Sequence, residues 1–289
     1  MKKIMIISLI FVFSCLINSS CQPDNPLYFA NYDKNTGEAE DEEYVLVWSE
    51  EFNEKKTEDG KYALPGDKWS FETGGQGWGN EEDQFYIDRF LGTDTVAKIK
   101  DGSLLISAIK LESPHEGKNY ISARMNTQEQ WKYGRFEMKA KLPTGRGTWP
   151  AFWMLQRGSS SLLEGEIDIM EHVGYDPGVV HFSVHTAAYN HAMGTGRTTN
   201  KTVKNFDTEF QIYAVEWTED YIAGYINGAL YFTFVNDHKG NKETWPFDVP
   251  FYLKLNLAIG GTWGGYEGID DSIFPAVFEI DYVRVYQKK

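Results

Sequence analysis

Cysteine is nearly missing from this 289-residue chain: its 2 copies, Cys15 and Cys21, both fall within the first 21 residues. No disulfide can brace the chain beyond Cys21, so that part must be held by its core, which a chain of this length can build. Helical patterning is scarce too. No long stretch keeps a 3.6-residue period, no internal repeat is visible, and the apolar run from Ile4 to Ile17 is too short to span a bilayer. Positive charge is in deficit, with 28 Lys and Arg against 42 Asp and Glu, a net charge of −14. Setting aside the first 21 residues, which carry two lysines and no acid, leaves 26 bases against 42 acids, or −16. A surface this acidic argues against nucleic acid and strongly anionic substrates. Two chemical devices are absent as well. There is no serine nucleophile elbow, and the glycine-rich stretch Gly74–Asn80 is followed by neither the Lys-Ser/Thr pair nor the helix of a phosphate loop.

The chain opens with Lys2 and Lys3, the apolar run, and Ser19-Ser20-Cys21, which resembles a bacterial lipoprotein cleavage box. Val12-Phe13-Ser14-Cys15 matches the usual residue types slightly better, but its apolar run would be short. Residues 1–21 are therefore expected to be a lipoprotein signal with lipid on Cys21, and simple secretion is the alternative. Residues 22–43 are polar and acidic, with Pro23, Pro26 and the run Glu38–Glu43, the composition of a flexible tether. The expected location is that of an exported bacterial lipoprotein, on the outer membrane, the cell surface or in the periplasm. Membrane contact would come only through Cys21.

From Tyr44 onward, β-rich runs alternate with turn residues. They are Tyr44–Trp48, Leu104–Lys110, Arg135–Leu142, Val179–Thr186, Phe210–Trp217, Phe251–Leu257 and Ala276–Tyr286. Tyr221–Ile226 and Ala229–Phe234 flank Asn227-Gly228, the strongest hairpin signal present. Aromatic residues make up 15% of the chain, which suits packed sheets and aromatic-lined clefts better than a helical bundle. The expectation is one all-β domain over residues 44–289, a sandwich of two antiparallel sheets.

Chemistry concentrates in Gly165–Gly174, where Glu166, Asp168 and Glu171 stand between apolar residues. Strand side chains alternate faces, so Glu166 and Asp168 share one and Glu171 should point away. A β-bulge at Ile169-Met170 would add one residue and return Glu171 to the same line. Acids so close raise one another's pKa, a cost that a site can use. His181 and His185 lie four apart on the next strand, with His191 soon after. Without cysteine or a further carboxylate at ligand spacing, hydrogen bonding beside the acids is a better reading for them than zinc. Three glycine- and tryptophan-rich stretches would bring Trp78 with Asn80, Trp149 with Trp153, and Trp263 toward a cleft. Aromatic faces are natural platforms for sugar rings.

Two carboxylates in different protonation states make a glycosidase: one protonates the departing oxygen and the other attacks or activates water. Across the bulge, Glu166 and Glu171 stand four regular positions apart, roughly 13 Å between α-carbons. Side chains leaning inward could reach the roughly 5–5.5 Å separation of a retaining enzyme. Spacing alone does not say which glutamate attacks.

The acidic strand resembles the Glu-x-Asp-x-x-Glu signature of glycoside hydrolase family 16 in its bulged, laminarinase-like form. The resemblance continues through Trp78-Gly79-Asn80, Ser122-Ala123-Arg124, Tyr133–Glu137, Trp149–Met154, Tyr213–Trp217, Asn256–Gly261 and Asp281–Tyr286, in the family's order. It implies a β-jelly roll with a concave cleft, Glu166 as nucleophile, Glu171 as general acid/base and Asp168 as their hydrogen-bonding partner. It further implies that Asn80, Arg124, Trp149, Trp153, Asn256 and Trp263 line the sugar subsites, with His185 near the nucleophile. No cofactor would be needed for catalysis. A structural Ca2+ would match Glu51 and Gly102 through backbone oxygens and Asp281 through its side chain, an oxygen-only set. The implied activity is that of a monomeric, retaining endo-β-glucanase acting on β-1,3- or mixed β-1,3/1,4-glucan polysaccharide or oligosaccharide. The alternatives are an agarase or carrageenase of the same family and a carbohydrate-binding jelly roll without activity. Three departures stand out: Glu81-Glu82-Asp83-Gln84 in place of Asn-Glu-Leu-Gln, Lys139 in place of Arg, and a longer, more polar segment at His185–His191. All three are expected where a sugar chain would lie.

Overall fold

The computed structural model describes residues 43–53, 62–159 and 164–289. The expected signal at 1–21, with Cys21, and the tether up to residue 42 lie outside those residues. Glu43, the last residue of that tether, is ion-paired with Lys288 at 2.8 Å.

In chain order the strands are β1 (Tyr44–Glu50), β2 (Trp69–Phe71), β3 (Gln84–Tyr86), β4 (Phe90–Leu91), β5 (Asp94–Thr95) and β6 (Ala97–Lys100). Next come β7 (Ser103–His115), β8 (Lys118–Ser122), β9 (Arg124–Thr127), β10 (Gly134–Lys141), β11 (Thr148–Gln156) and β12 (Glu166–His172). The remainder are β13 (Val179–His185), β14 (Arg197–Thr202), β15 (Gln211–Trp217), β16 (Tyr221–Ile226), β17 (Ala229–Val235), β18 (Phe251–Ile259) and β19 (Ala276–Lys288). Asn227 (φ 50°) and Gly228 (φ 75°) both take positive φ between β16 and β17, as a tight hairpin turn requires.

Ten strands form one sheet, ordered β17-β16-β15-β10-β19-β7-β8-β3, with β1 on β19 and β6 on β7. Seven form the other, ordered β14-β13-β12-β11-β18-β9-β2. β4 and β5 make a separate ribbon, and the pairings are antiparallel except that of β3 with β8. This is the expected jelly-roll sandwich. Phe152, Ile167, Phe182 and Leu253 of the smaller sheet lie against the layer formed by Phe136, Met138, Val215 and Val283 of the larger, all fully buried. Each such side chain contributes about 1.5–3 kcal/mol on burial, which is how the domain stands without disulfides.

The bulge is where the sequence pattern puts it. Asp168 and Glu171 face Ser183 and His181 on β13, with two residues between them against one, and β11 shows the matching shift at Phe152/Trp153. Ile169 and Met170 are both buried in the core, while the acids turn to the other face. Register then writes out the floor of the cleft. Through Glu171 one row runs Arg124–Asn256–Ala151–Glu171–His181–Asn200. Through Asp168 the neighbouring row runs Asn126–Lys254–Trp153–Asp168–Ser183–Thr198.

Layer spacing is tight at Gly224 on β16, where an added Cβ would collide with the Phe182 ring of the facing sheet. Gly224→Ala should cost about 1–3 kcal/mol by overpacking. Chemical denaturation measures it, and an unchanged midpoint would show that the layers yield there.

Candidate active site

Glu166, Asp168 and Glu171 line one cleft, and each is held by a different neighbour. The Trp149 indole donates to Glu171 Oε1 at 3.0 Å. Asp168 shares a side-chain hydrogen bond with Glu166, and its Oδ2 lies 3.2 Å from His185 Nε2. Burial first, then the charge of Asp168, pushes the Glu166 carboxyl up to about 8, with His185, Arg124 and Lys254 pulling the other way. Burial and the Asp168 charge raise Glu171 well above the ordinary carboxylate value, against the Trp149 hydrogen bond. Three acids so placed cannot all ionise together. The arrangement can therefore keep one carboxyl protonated beside an ionised one, which is what acid-assisted displacement at a glycosidic bond needs.

One side of this line is a narrow cavity of about 140 Å3 over β11, β18 and β9. Trp153 donates to Asn256 Oδ1 at 2.7 Å, and Asn256 donates to the Tyr86 hydroxyl at 3.3 Å. Tyr86 in turn donates to Glu82 Oε2 at 3.1 Å. Arg124 is ion-paired with Glu72 and stacks between Trp78 and Trp153, 4.6 and 4.9 Å from their ring centres. The other side is a wider cavity of about 690 Å3 over β13 and β14, where Trp263 packs edge-on against Trp149 and His181. Asn80 borders both halves, and its carbonyl accepts the Thr262 N–H, joining the two glycine-rich loops. All ten residues expected at the catalytic line and the sugar subsites thus meet in one cleft.

Several members of the site carry no clear mark in the sequence. Lys254 is 1% exposed beneath Trp153, where its ammonium donates to Glu72 at 3.0 Å and Asn126 at 2.7 Å. Burial, then the Arg124 charge, brings its pKa down to about 7. Its only signal is strand parity, two residues before Asn256. Glu82 and Gln84 are buried and bonded to each other at 2.6 Å, whereas Glu81 and Asp83 are exposed. The family's Glu and Gln are kept here, and the departures fall on the outward side.

Lys139 corrects the expectation that all departures face the sugar. It sits on β10 of the larger sheet, 2.7 Å from Asp281. Asp281 is on β19 of that sheet, Glu51 follows the end of β1 and Gly102 lies in the turn between β6 and β7, and none of the three lines the cleft. β7 ends its pairing at Leu104–Ile280 and β1 at Glu50–Val283, along one edge of β19, so Gly102 and Glu51 both arrive beside Asp281 and Tyr282. Glu51 spends both carboxylate oxygens on Arg284, at 2.8 and 2.9 Å, which leaves its carbonyl for any cation. Ligand atoms of Glu166, Asp168 and His185 lie within 4.8 Å of one another, the histidine standing beside the acids.

The raised Glu166 has a consequence for stability. A carboxyl with an ordinary value of 4.5 and a native one of about 8 adds stability below 4.5 that is lost as pH rises through about 8. Glu166→Gln, which cannot ionise, should melt like the unsubstituted protein below pH 4.5 and higher than it above about pH 8. A melting difference that does not vary with pH would contradict the shift.

Comparison with known proteins agrees with this geometry. The family model for glycosyl hydrolases family 16 matches residues 78–284. A beta-glucanase of Rhodothermus marinus is 46% identical over 84% of this chain and 85% of that protein. The crystal structure of the laminarinase from Rhodothermus marinus superposes with a TM-score of 0.78 at 44% identity, covering 85% of this chain and 98% of that one. A mutant of SCLam, a non-specific endo-beta-1,3(4)-glucanase carrying a 1,3-beta-D-cellobiosyl-glucose at its active site, superposes at 0.77 with 41% identity, covering 86% and 96%. Signature, sandwich and cleft agree with these matches, and the chain belongs to glycosyl hydrolase family 16.

Proposed function

We propose that this glycoside hydrolase is a retaining endo-β-glucanase cutting β-1,3- or mixed β-1,3/1,4-glucans. The observation that carries the reading is the bulge-aligned pair Glu166 and Glu171, set where the narrow half of an open cleft meets the wide half. A sugar chain laid across the strands puts the bond to be cut over β12. Glu166, as carboxylate, attacks the anomeric carbon while Glu171, as carboxylic acid, gives its proton to the glycosidic oxygen. That bond breaks, the leaving chain departs as an alcohol, and the sugar stays on Glu166 as an ester. Glu171, now ionised, takes a proton from water, whose oxygen displaces Glu166 and restores both groups. Asp168 fits the role of tuning the pair, since its charge raises both glutamates. A relative described as a beta-glucanase and a solved structure described as a non-specific endo-beta-1,3(4)-glucanase support the substrate class, as does Trp153 flooring the narrow half.

Laminarin, cereal mixed-linkage glucan and agarose offered side by side should yield oligosaccharides from one or both glucans, with proton NMR showing the new reducing ends first in the β configuration. Glu166→Ala should lower turnover about 10³-fold or more with the fold intact. Cleavage of agarose alone would assign a galactanase instead, and turnover that survives Glu166→Ala would remove the nucleophile.

We also propose a structural calcium beside Asp281. Two carbonyls and one carboxylate are hard oxygen donors, the class calcium takes, although Lys139 already holds one oxygen of Asp281. Glu51, Gly102 and Asp281 would hold the ion and so pin β1 and β7 to β19. Added calcium should raise the melting temperature of chelator-treated protein, and Asp281→Asn should abolish the rise. No rise would leave Lys139 as the cation that closes this junction.

A further inference from the structure

The wide half of the cleft is walled by a connection whose Tyr189 packs on the core but whose tip does not. Residues 186–196 connect β13 to β14, and none of the residues in their 3-10 turn, His191–Met193, is buried. Yet the turn is heavily cross-tied. The Asn190 side chain donates to the carbonyls of Thr186 and Ala187, at 3.2 and 3.1 Å, and accepts the Met193 N–H at 3.1 Å. Thr195 donates its hydroxyl to Ala188 at 2.8 Å and its N–H to Asn190 at 3.1 Å. Gly194 closes the turn at a left-handed φ of 67°. Gly196 leaves room for His191, whose Nδ1 would lie 3.2 Å from a Cβ there. The result is an imidazole held at the cleft wall, with its ring centre 4.9 Å from that of His185.

A preorganised, exposed turn that presents one polar ring to a cleft has the build of a recognition element, because its ordering cost is met before the ligand arrives. The floor beneath it suits a neutral, hydroxyl-rich ligand. Ser183 and Thr198 hydroxyls lie 3.0 Å apart, and Asn200 stands opposite His181 in register. Burial and the nearness of His185 lower the His191 pKa, which keeps the ring neutral and able both to donate and to accept. This half lies on the far side of Glu171 from Trp153 and Arg124, where the chain leaving with the protonated oxygen would sit.

We propose that His191, together with Asn200, contacts the sugar units of the leaving chain and sets how far cleavage depends on them. The inference rests on the retaining-glucanase reading. It is tested with two substrates. One is a β-1,3-gluco-oligosaccharide long enough to occupy both halves, and the other is a short aryl glycoside whose leaving group is a phenol and carries no sugar there. His191→Ala and Asn200→Ala should each lower kcat/KM on the oligosaccharide roughly 3- to 10-fold, the worth of a lost neutral hydrogen bond, and leave the aryl glycoside within about twofold. His191→Gln should recover part of the loss. Met193→Ala, exposed on the same turn and outside the cavity lining, should change neither rate. Equal losses on both substrates, or none on either, would overturn the proposal while leaving the glucanase reading in place. Unsubstituted protein inert toward both would overturn the two together.

Discussion

Three carboxylates held close together in surroundings that resist their charge are the constraint to which the rest of the cleft answers. Acids that repel one another in such surroundings settle by keeping protons, and the cleft tunes how many. Trp149 donates to Glu171, His185 stands against Asp168, and the positive charges of Arg124 and Lys254 act on Glu166 from beneath the tryptophans. None of these neighbours adjoins β12 in sequence. The sheet delivers them diagonally: register sets His185 opposite Glu166 and Ala151 opposite Glu171, while His185 bonds Asp168 and Trp149 reaches Glu171 from two residues away on β11. Ala151, between Glu171 and Asn256, is the small residue of its row and leaves that stretch of floor low.

The two halves of the cleft differ in physics. The narrow half is built from rings and paired charges: Arg124 sits between two indoles, Glu72 joins Arg124 to Lys254, and the chain Trp153–Asn256–Tyr86–Glu82 fixes the donor and acceptor directions. Such a network is costly to break, since removing one member strands a buried polar partner. The wide half is floored by hydroxyl, amide and imidazole groups near an exposed edge strand, β14. The larger sheet supplies the backing, and its strand β3 reaches the cleft network through Tyr86.

Much of this was legible in the chain before its fold. Strand periodicity and turn chemistry located most of the long strands to within a few residues, although β7 runs on to His115 and β11 was not among the β-rich runs, and Asn227-Gly228 closes the hairpin it signals. The awkward spacing of Glu171 demanded a bulge, because core-facing Ile169 and Met170 cannot both be satisfied by plain alternation. The short strands β2 to β6, β8 and β9 and the edge strand β14 were not legible. Their runs are too brief or too polar to show a period, and neighbouring strands hold them in place. Lys254 was equally hidden, since a lysine in an apolar strand reads as an exception until Glu72 and Asn126 are seen beside it.

By itself, then, the sequence determined the strand pattern, the acidic line and its bulge, because these depend on alternation within a single segment. Only the tertiary structure decided which side chains from distant segments share the cleft, that Lys139 lies outside it and that His191 lies within. Those outcomes depend on cross-strand register and on loops returning to the same surface. That pairing geometry joins residues far apart in the chain and leaves no mark on local periodicity.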